Sequence, residues 1–260
     1  MMLIGRLISG EWNGSNASPS KLFTVHPILA AIRAIEFERI QYDGANDDYF
    51  EVIEGSMPIL FSAPHGARHL RNGTWKGEDE YTASLAITLG GLTGAHVIFV
   101  KNKTKEDSNY VPTTRYKRAI RKLVHEKGIR FLADIHGADI GRNYKVTVGI
   151  IDEEDMERCS CPRCKPLIEE AFRAFQYPLF NLDAFTAGSP GTVTSFARHF
   201  CGIEAAQFEI NARYRIVERK PDSTRAMHGD EPSFRAEEAH VLELVQCLEE
   251  MVVRIKEEIL

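Results

Sequence analysis

The sequence predicts an α/β fold with a single domain, in which helices cover both faces of a central, mixed and mostly parallel sheet. Three observations predict it. Short apolar segments rich in β-branched residues recur along the chain, segments with helical spacing lie between them, and no Pro/Gly/Ser-rich linker interrupts the alternation. Such alternation is typical of parallel strands joined by helices that pack back onto the sheet.

Each predicted strand is short enough to be buried, and most are followed by a segment with helical periodicity. The predicted strands are 58–63, 95–100, 130–135, 146–151 and 205–210. The predicted helices are 80–92, 114–127, 166–175, 192–200 and an amphipathic helix from 237 to the end. Gly128 directly follows the second helix and is a typical C-cap. We expect residues 1–50 to form an irregular or β-rich N-terminal extension, packed on an α/β domain of residues 51–260.

Composition restricts the class of partner. The 260 residues include 32 basic and 37 acidic ones, a formal charge of −5, which argues against binding to nucleic acid or an anionic membrane. The sequence has no apolar run near the about 18 residues of a transmembrane helix and no signal-peptide pattern at its start. Its five cysteines suit a reducing compartment. We therefore expect a cytoplasmic protein with a small-molecule substrate, and leave homo-oligomerisation open.

Two histidines follow predicted strands, and each precedes a glycine: His65-Gly66 and His136-Gly137. Functional groups of α/β proteins gather at the carboxyl ends of strands, and neutral imidazole is the commonest protein ligand of zinc. A single histidine here would more often make an ordinary hydrogen bond at a strand end. Two in the same context favour a shared metal site.

A catalytic zinc usually has three protein ligands and one open position, so an acid or a third histidine is required. Glu78, Asp79 and Glu80 open the predicted helix after His65, where acids also complement the helix dipole. The residue types alone do not choose among the three. Glu209 lies within an apolar strand whose alternation puts it on one face with Gln207. That face is either half-exposed and polar, or it carries a general base.

These segments, taken in order, resemble the N-formylglutamate amidohydrolase family. The family is related to succinylglutamate desuccinylases and aspartoacylases and has a zinc carboxypeptidase-like fold of the phosphorylase/hydrolase-like class. The matching segments are 63–67 (APHGA), 78–81 (EDEY), 107–109 (DSN), 134–137 (DIHG), 188–194 (GSPGTVT) and 207–211 (QFEIN). The ordered set is more specific than any one segment. No G-x-S-x-G, H-E-x-x-H or P-loop motif competes with it.

The resemblance implies one zinc ion held by His65, Asp79 and His136, when the helix is aligned on Leu85. Glu78 and Glu80 remain alternatives one residue away. Glu209 would be the general base and later the proton donor to the leaving amine. The implied reaction is hydrolysis of the C–N amide bond of an N-acyl amino acid. A zinc peptidase acting on small or cell-wall-type peptides, or a non-catalytic ligand-binding protein of the same fold, is the alternative.

The resemblance is less complete for the substrate. Members of the family often carry an Asn-Arg pair that grips the substrate carboxylate, whereas this sequence has Asn109-Tyr110. Asn109 is therefore expected at the substrate, and another arginine must supply the positive charge. The candidates, each of which could equally be a solvated surface residue, are Arg68, Arg115, Arg142 and Arg213.

Two further features are open to more than one interpretation. Cys159, Cys161 and Cys164 could hold a second, structural zinc only with a fourth ligand from elsewhere; a redox pair or a reduced surface loop are the alternatives. Residues 188–192 are typical of a turn that leads into a helix capped by Thr192. The backbone N–H groups at that helix start could also hold an anionic substrate group.

Overall fold

The computed structural model describes residues 26–151, 163–175, 187, 189–227 and 231–259. Its strands are β1 (Gln41–Ala45), β2 (Phe50–Ile53), β3 (Met57–Ala63), β4 (His69–Arg71), β5 (Thr74–Lys76), β6 (Ala95–Val100), β7 (Asn102–Lys103), β8 (Phe131–Ala138), β9 (Val146–Gly149) and β10 (Glu204–Asn211). Its helices are α1 (Pro27–Arg39), α2 (Thr82–Thr93), α3 (Arg115–Lys127), α4 (Cys164–Ala174), α5 (Val193–Cys201), α6 (Thr224–Met227) and α7 (Glu238–Ile259).

The central sheet has six strands in the order β2-β6-β3-β8-β10-β9. The four inner strands, β6, β3, β8 and β10, run parallel, and the two edge strands, β2 and β9, run antiparallel to their neighbours. All five predicted strands belong to this sheet. The predicted fold class, an α/β fold with a mixed and mostly parallel sheet, is therefore confirmed.

The inner strands are apolar on both sides, as strands covered by helices on both faces must be. Phe61 and Phe131 contribute to a core that also contains residues of α1, α2, α4 and α7. Their chain neighbours Leu60 and Leu132 point the other way, into a second core with residues of α3 and α5. Two helix layers therefore enclose the sheet and leave its strand ends accessible.

The predicted helix ends depend on capping residues. Thr114 accepts a hydrogen bond from the Lys117 N–H at the start of α3, and Gly128 ends that helix in the left-handed region at φ 63°. Thr192 caps α5 as expected, accepting from the Ser195 N–H. The helix predicted over 80–92 ends one residue later, at Thr93, because the left-handed Gly94 terminates it.

The helix α1 was not predicted from the sequence. It buries Leu29, Ile32 and Glu36, and the Glu36 carboxylate accepts hydrogen bonds from the Tyr81 N–H and the Ser84 hydroxyl at the start of α2. Local signals for this helix exist in the sequence, since Pro27 is its first residue and Arg39 lies in its last turn. Its packing, by contrast, involves a segment some 45 residues away. The division into residues 1–50 and 51–260 stays a prediction, since residues 1–25 lie outside the described part. Among the described helices, none combines the length and apolarity needed to cross a bilayer.

Candidate metal centre

His65 and His136 come together at the carboxyl ends of two neighbouring parallel strands. His65 follows β3 and His136 lies near the end of β8, and both side chains are buried. The strands are hydrogen-bonded neighbours, so their ends meet at the same edge of the sheet. The two Nδ1 atoms are 3.2 Å apart. The pairing expected from the sequence is therefore present.

Asp79 completes a three-residue cluster with these histidines. Its Oδ2 lies 3.3 Å from His65 Nδ1 and 3.4 Å from His136 Nδ1. The backbone N–H of Asp79 donates to the His65 carbonyl oxygen at 2.8 Å. This hydrogen bond holds the segment before α2 next to the end of β3. We call His65, Asp79 and His136 the triad.

The spacing of the triad fits a tetrahedral zinc ion. With zinc bonds of about 2.0–2.1 Å to nitrogen and oxygen, the edge of a tetrahedron is about 3.3–3.4 Å. The three ligand atoms are separated by 3.2, 3.3 and 3.4 Å. Within the described residues, the same three side chains form one of two groups whose donor atoms converge closely enough for a metal. The triad therefore has the ligand types and the spacing of a candidate metal site.

The two neighbouring acids point elsewhere. Glu78 accepts hydrogen bonds from the backbone N–H and hydroxyl of Thr224. Glu80 accepts two hydrogen bonds from the Arg219 guanidinium, each at 3.1 Å. Of the three acids that sequence reasoning left open, only Asp79 places its carboxylate against the histidines.

The acids also precede α2 rather than forming its first turn, which corrects the sequence interpretation. Tyr81, which is not a glycine, lies in the left-handed region at φ 67°, and α2 begins after it. Such a conformation costs free energy and persists where surrounding contacts hold it. Here the Tyr81 N–H donates to buried Glu36 and its hydroxyl donates to the Glu218 carbonyl. The sharp turn leaves Asp79 facing His65.

Each histidine of the triad has a buried carboxylate behind it. His65 Nε2 lies 2.9 Å from Asp107 Oδ1, and His136 Nε2 lies 2.9 Å from Asp134 Oδ2. Metal-bound histidines usually donate their second N–H to such a group, which fixes the tautomer and the ring orientation. In that tautomer both Nδ1 atoms carry no hydrogen and are directed at Asp79 Oδ2.

Sequence reasoning included Asp107 and Asp134 in matching segments but gave neither a role. The signal for Asp134 was available, since residues two apart on a strand share a face. For Asp107 no local pattern exists, because it reaches His65 from a separate loop. Burial alone would raise the pKa of Asp107, but hydrogen bonds from His65 and Arg71 hold that pKa below its usual range.

The second convergent group contains His65, His69 and Asp107. The imidazole rings of His65 and His69 stack with their centres 4.0 Å apart, and His69 Nε2 is 3.6 Å from Asp107 Oδ2. That oxygen also accepts a hydrogen bond from Arg71 Nε at 2.5 Å, so a guanidinium already stands where a cation would bind. Burial lowers the pKa of His69 to about 3, which keeps it neutral. This group therefore contacts the triad through His65.

Glu209 faces the triad from the next strand. It lies on β10 in register with His136, and both line a cleft of about 340 Å³ together with the rest of the triad. Gln207 lines the same cleft, whereas Phe208 and Ile210 belong to the core, as period-two alternation predicted. Burial raises the pKa of Glu209, the neighbouring His136 imidazole opposes this rise, and the carboxylate of Asp79 adds to it.

The expected substrate arginines lie at different distances from this cleft. Arg68 pairs with Asp43 at 3.1 Å, and Arg115 donates to the Asp47 carbonyl at 2.9 Å. Arg142 lines an adjoining cleft that also contains His65 and Asp79. Arg213 lies in the short 3-10 turn of Ala212–Tyr214 after β10. None of the four lines the cleft of Glu209, whereas Asn109 does.

The arginine that does line it, Arg71, was missed by sequence reasoning. It ends β4 in the β4–β5 hairpin and borders both the cleft of Glu209 and the adjoining one. Its guanidinium is held between the Asp107 carboxylate and the Tyr110 ring, 5.3 Å from the ring centre. Asn72-Gly73, directly after Arg71, is a local signal for the hairpin turn, but the place of Arg71 at the cleft depends on how the hairpin packs over the site.

Two sequence interpretations remain untested. Cys159 and Cys161 lie outside the described residues, and Cys164 is buried at the start of α4, so the second metal site stays a prediction. Gly188 is also outside them, and an anion-binding role for residues 188–192 stays a prediction too.

Solved structures with a similar fold exist, although sequence comparisons find no match. No protein-family model and no curated protein sequence match the chain. Among solved structures, N-formylglutamate amidohydrolase from Ralstonia eutropha JMP134 aligns with a TM-score of 0.54 and 14% identity, over 81% of this chain and 97% of that one. The two proteins share a fold. This is the fold that the resemblance in the motifs implied.

A gene product from Agrobacterium tumefaciens aligns with a TM-score of 0.55 and 11% identity, over 84% of this chain and 99% of that one. Both alignments cover nearly the full length of the other protein. At such identities they establish the architecture, and the chemistry has to be argued from the site itself.

Proposed function

We propose that the protein is a zinc-dependent hydrolase that cleaves the C–N amide bond of an N-acyl amino acid. One observation carries this proposal: the two Nδ1 atoms of His65 and His136 and Oδ2 of Asp79 converge at tetrahedral spacing, in a cleft that also contains Glu209. The shared fold with N-formylglutamate amidohydrolase supports the same class of reaction.

The triad would hold the metal, and Asp107 and Asp134 would keep both imidazoles in the required tautomer. A set of two histidines and one carboxylate favours zinc and would leave one position for water or substrate. When bound, zinc polarises a carbonyl and lowers the pKa of water from 15.7 to about 7. All remaining steps depend on side chains of this chain.

Glu209 would act as the general base. Its Oε1 accepts a hydrogen bond from Gln207 Nε2 at 3.0 Å, so Oε2 is the oxygen left to take a proton from the attacking water. The same carboxyl would then return the proton to the leaving amine nitrogen. The burial that raises the pKa of Glu209 suits this role, since a base that later acts as an acid works best with a pKa near the working pH.

Arg71 would bind the carboxylate of the substrate. Tyr110 stands where the related family carries its arginine, and the Arg71 guanidinium lies against that tyrosine ring at the edge of the cleft. A guanidinium recognises a carboxylate through a planar pair of N–H donors. The cleft of about 340 Å³ adjoins one of about 780 Å³ with which it shares His65, Arg71 and Asp79.

The test combines metal analysis with an assay on a panel of N-acyl amino acids, before and after chelation. We expect about one zinc per chain and hydrolysis that is lost on chelation and restored by zinc. The Glu209→Gln variant should keep its zinc and lose about 10²–10⁴-fold in kcat. Glu51→Gln, which changes a carboxylate on strand β2 that pairs with Arg39 and Lys101, is the matched control and should keep full activity.

Other outcomes identify the alternatives. Cleavage of peptides without cleavage of N-acyl amino acids would favour a zinc peptidase. Bound zinc without turnover of either substrate class would favour a ligand-binding protein of the same fold. A chain that binds no zinc when the triad is intact would contradict the proposal altogether.

A further inference from the structure

We propose that Asn109 and Gln207 are positioning residues that hold the carboxylate of Glu209, rather than groups that bind the substrate. The inference rests on the proposed function, because it assumes that Glu209 is the base. It goes beyond that function by reassigning Asn109, which the sequence places at the substrate, and by giving Gln207 a role.

Both ends of the Asn109 side-chain amide are engaged within the protein. Its Oδ1 accepts a hydrogen bond from the Val193 N–H, the first residue of α5, at 2.7 Å. Its Nδ2 donates to Gln207 Oε1 at 3.4 Å. Rotating this amide toward a substrate would leave the Val193 N–H and the Gln207 oxygen without these partners.

Gln207 continues the chain of hydrogen bonds to the candidate base. Its side chain is 1% exposed, and its Nε2 donates to Glu209 Oε1 at 3.0 Å. Two amides in series, each accepting at oxygen and donating at nitrogen, therefore run from the start of α5 to the carboxylate. We call Val193, Asn109, Gln207 and Glu209 the relay.

The relay is anchored to the metal triad at its Asn109 end. Asp107 Oδ1 accepts from the Asn109 backbone N–H at 3.0 Å and lies 2.9 Å from Nε2 of His65. One carboxylate thus orients a candidate metal ligand and the residue that leads to the base. Because reacting groups must be placed to within a fraction of an ångström, such a shared anchor fixes the base relative to the metal site.

The loop that carries Asn109 is itself held in place. The Tyr110 N–H and the Val111 N–H both donate to the Asp107 carbonyl oxygen, at 3.1 and 2.9 Å. Gly191, next to α5, packs directly on the Tyr110 backbone: a Cβ at Gly191 would lie 1.9 Å from the Tyr110 carbonyl oxygen. The two loops that meet through the Asn109–Val193 hydrogen bond are therefore packed together and line one side of the cleft.

The decisive variant is Asn109→Asp, compared with Asn109→Ala. Aspartate still accepts from the Val193 N–H, and a negative charge is favourable at a helix start, but it cannot donate to Gln207. If the relay positions Glu209, Asn109→Asp loses about tenfold to a hundredfold in kcat, as does Gln207→Leu, while KM stays unchanged. If Asn109 only caps α5, Asn109→Asp keeps the full kcat, which would overturn the proposal.

A double variant and a control complete the experiment. Asn109→Ala combined with Gln207→Leu should lose no more kcat than the worse single variant, since both break the same chain of hydrogen bonds. Zinc affinity, measured by competition with a chromophoric chelator, should stay unchanged in the single variants of Asn109 and Gln207 and in the double variant. Asn102→Ala removes another buried asparagine, which donates to the Asp48 carbonyl outside this cleft, and should keep kcat.

Two further results would contradict the proposal: a raised KM at unchanged kcat in Asn109→Ala, which marks a substrate-binding group, or losses that simply add in the double variant. Absence of turnover in the unchanged enzyme is a different failure. It would contradict the proposed function itself and remove the basis of this inference with it.

Discussion

The carboxylate of Asp107 contacts three neighbouring residues at once. Asp107 contacts His65 and the Asn109 backbone through Oδ1, and Arg71 through Oδ2. The second oxygen therefore holds Arg71 at the cleft while the first orients a triad histidine. A substrate carboxylate bound by Arg71 would sit next to the metal site without displacing the contact that supports it.

Replacing Arg71 should change which substrates are preferred. Arg71→Gln should lower kcat/KM for an N-acyl amino acid about tenfold to a hundredfold, but leave its uncharged carboxamide analogue nearly unaffected. The measurement is the ratio of kcat/KM for N-acetylalanine and N-acetylalaninamide, or another such pair on which the enzyme is active. Arg254→Gln, which breaks an ion pair between Arg254 on α7 and Glu170 on α4, is the matched control. An unchanged ratio in Arg71→Gln would exclude Arg71 as the carboxylate-binding group.

The loops before α3 and α5 are joined by a buried lysine. Lys117 Nζ donates to the Val111 carbonyl at 2.8 Å and to the Gly191 carbonyl at 2.5 Å. Burial lowers the pKa of Lys117 to about 8 from 10.5, although Asp134 and Asp107 oppose the shift. The neutral amine still has two N–H donors, so both carbonyls can stay satisfied after the proton leaves.

This lysine predicts a pH dependence of stability. Between pH 8 and 10.5 the unfolded chain holds a proton at Lys117 that the folded chain has lost, so the free energy of unfolding should rise with pH there. Urea unfolding across this range should show wild type gaining stability relative to Lys117→Met. The exposed Lys122→Met serves as the control. A difference that stays flat or falls with pH would contradict the lowered pKa.

The triad connects parts of the molecule that are far apart along the chain. His65 follows β3, Asp79 precedes α2, and His136 lies on β8. One bound ion would therefore connect two strands of the sheet to the loop before α2. A ligand that binds only the folded chain stabilises it by mass action. Zinc binding should therefore raise the free energy of unfolding of the whole chain.

Thermal unfolding with and without zinc tests this coupling. At zinc concentrations about 1,000 times Kd the gain should approach about 4 kcal/mol, seen as a higher Tm that chelation reverses. His65→Ala should not respond, whereas Glu78→Gln, whose carboxylate faces Thr224, should respond like wild type. Identical Tm values for wild type with zinc and with chelator would contradict a zinc site at the triad.

Much of the architecture follows from local sequence patterns. The five predicted strands and the caps Thr192 and Gly128 depend on neighbours in the chain, and the structure confirms them. The helix α1 and the β4–β5 hairpin were missed although both carry local signals: Pro27 begins the helix, and Asn72-Gly73, both at positive φ, form the two-residue turn of the hairpin. Arg71 was missed because its place at the cleft depends on how the hairpin packs on the distant Thr104, whose carbonyl accepts from the Leu70 N–H.

Some features of the candidate site also follow from local sequence patterns, whereas others depend on contacts between distant segments. The sequence was enough to pair His65 with His136 and to put Glu209 on a face with Gln207, since strand ends and strand alternation are local properties. The residue types alone do not distinguish Asp79 from Glu78 and Glu80; the resemblance pointed to Asp79, and in the folded chain Asp79 is the one of the three that faces the histidines. The partners that draw those two acids away, Thr224 and Arg219, lie 146 and 139 residues further along. Adjacent carboxylates have nearly the same intrinsic chemistry, so their different surroundings give them different roles.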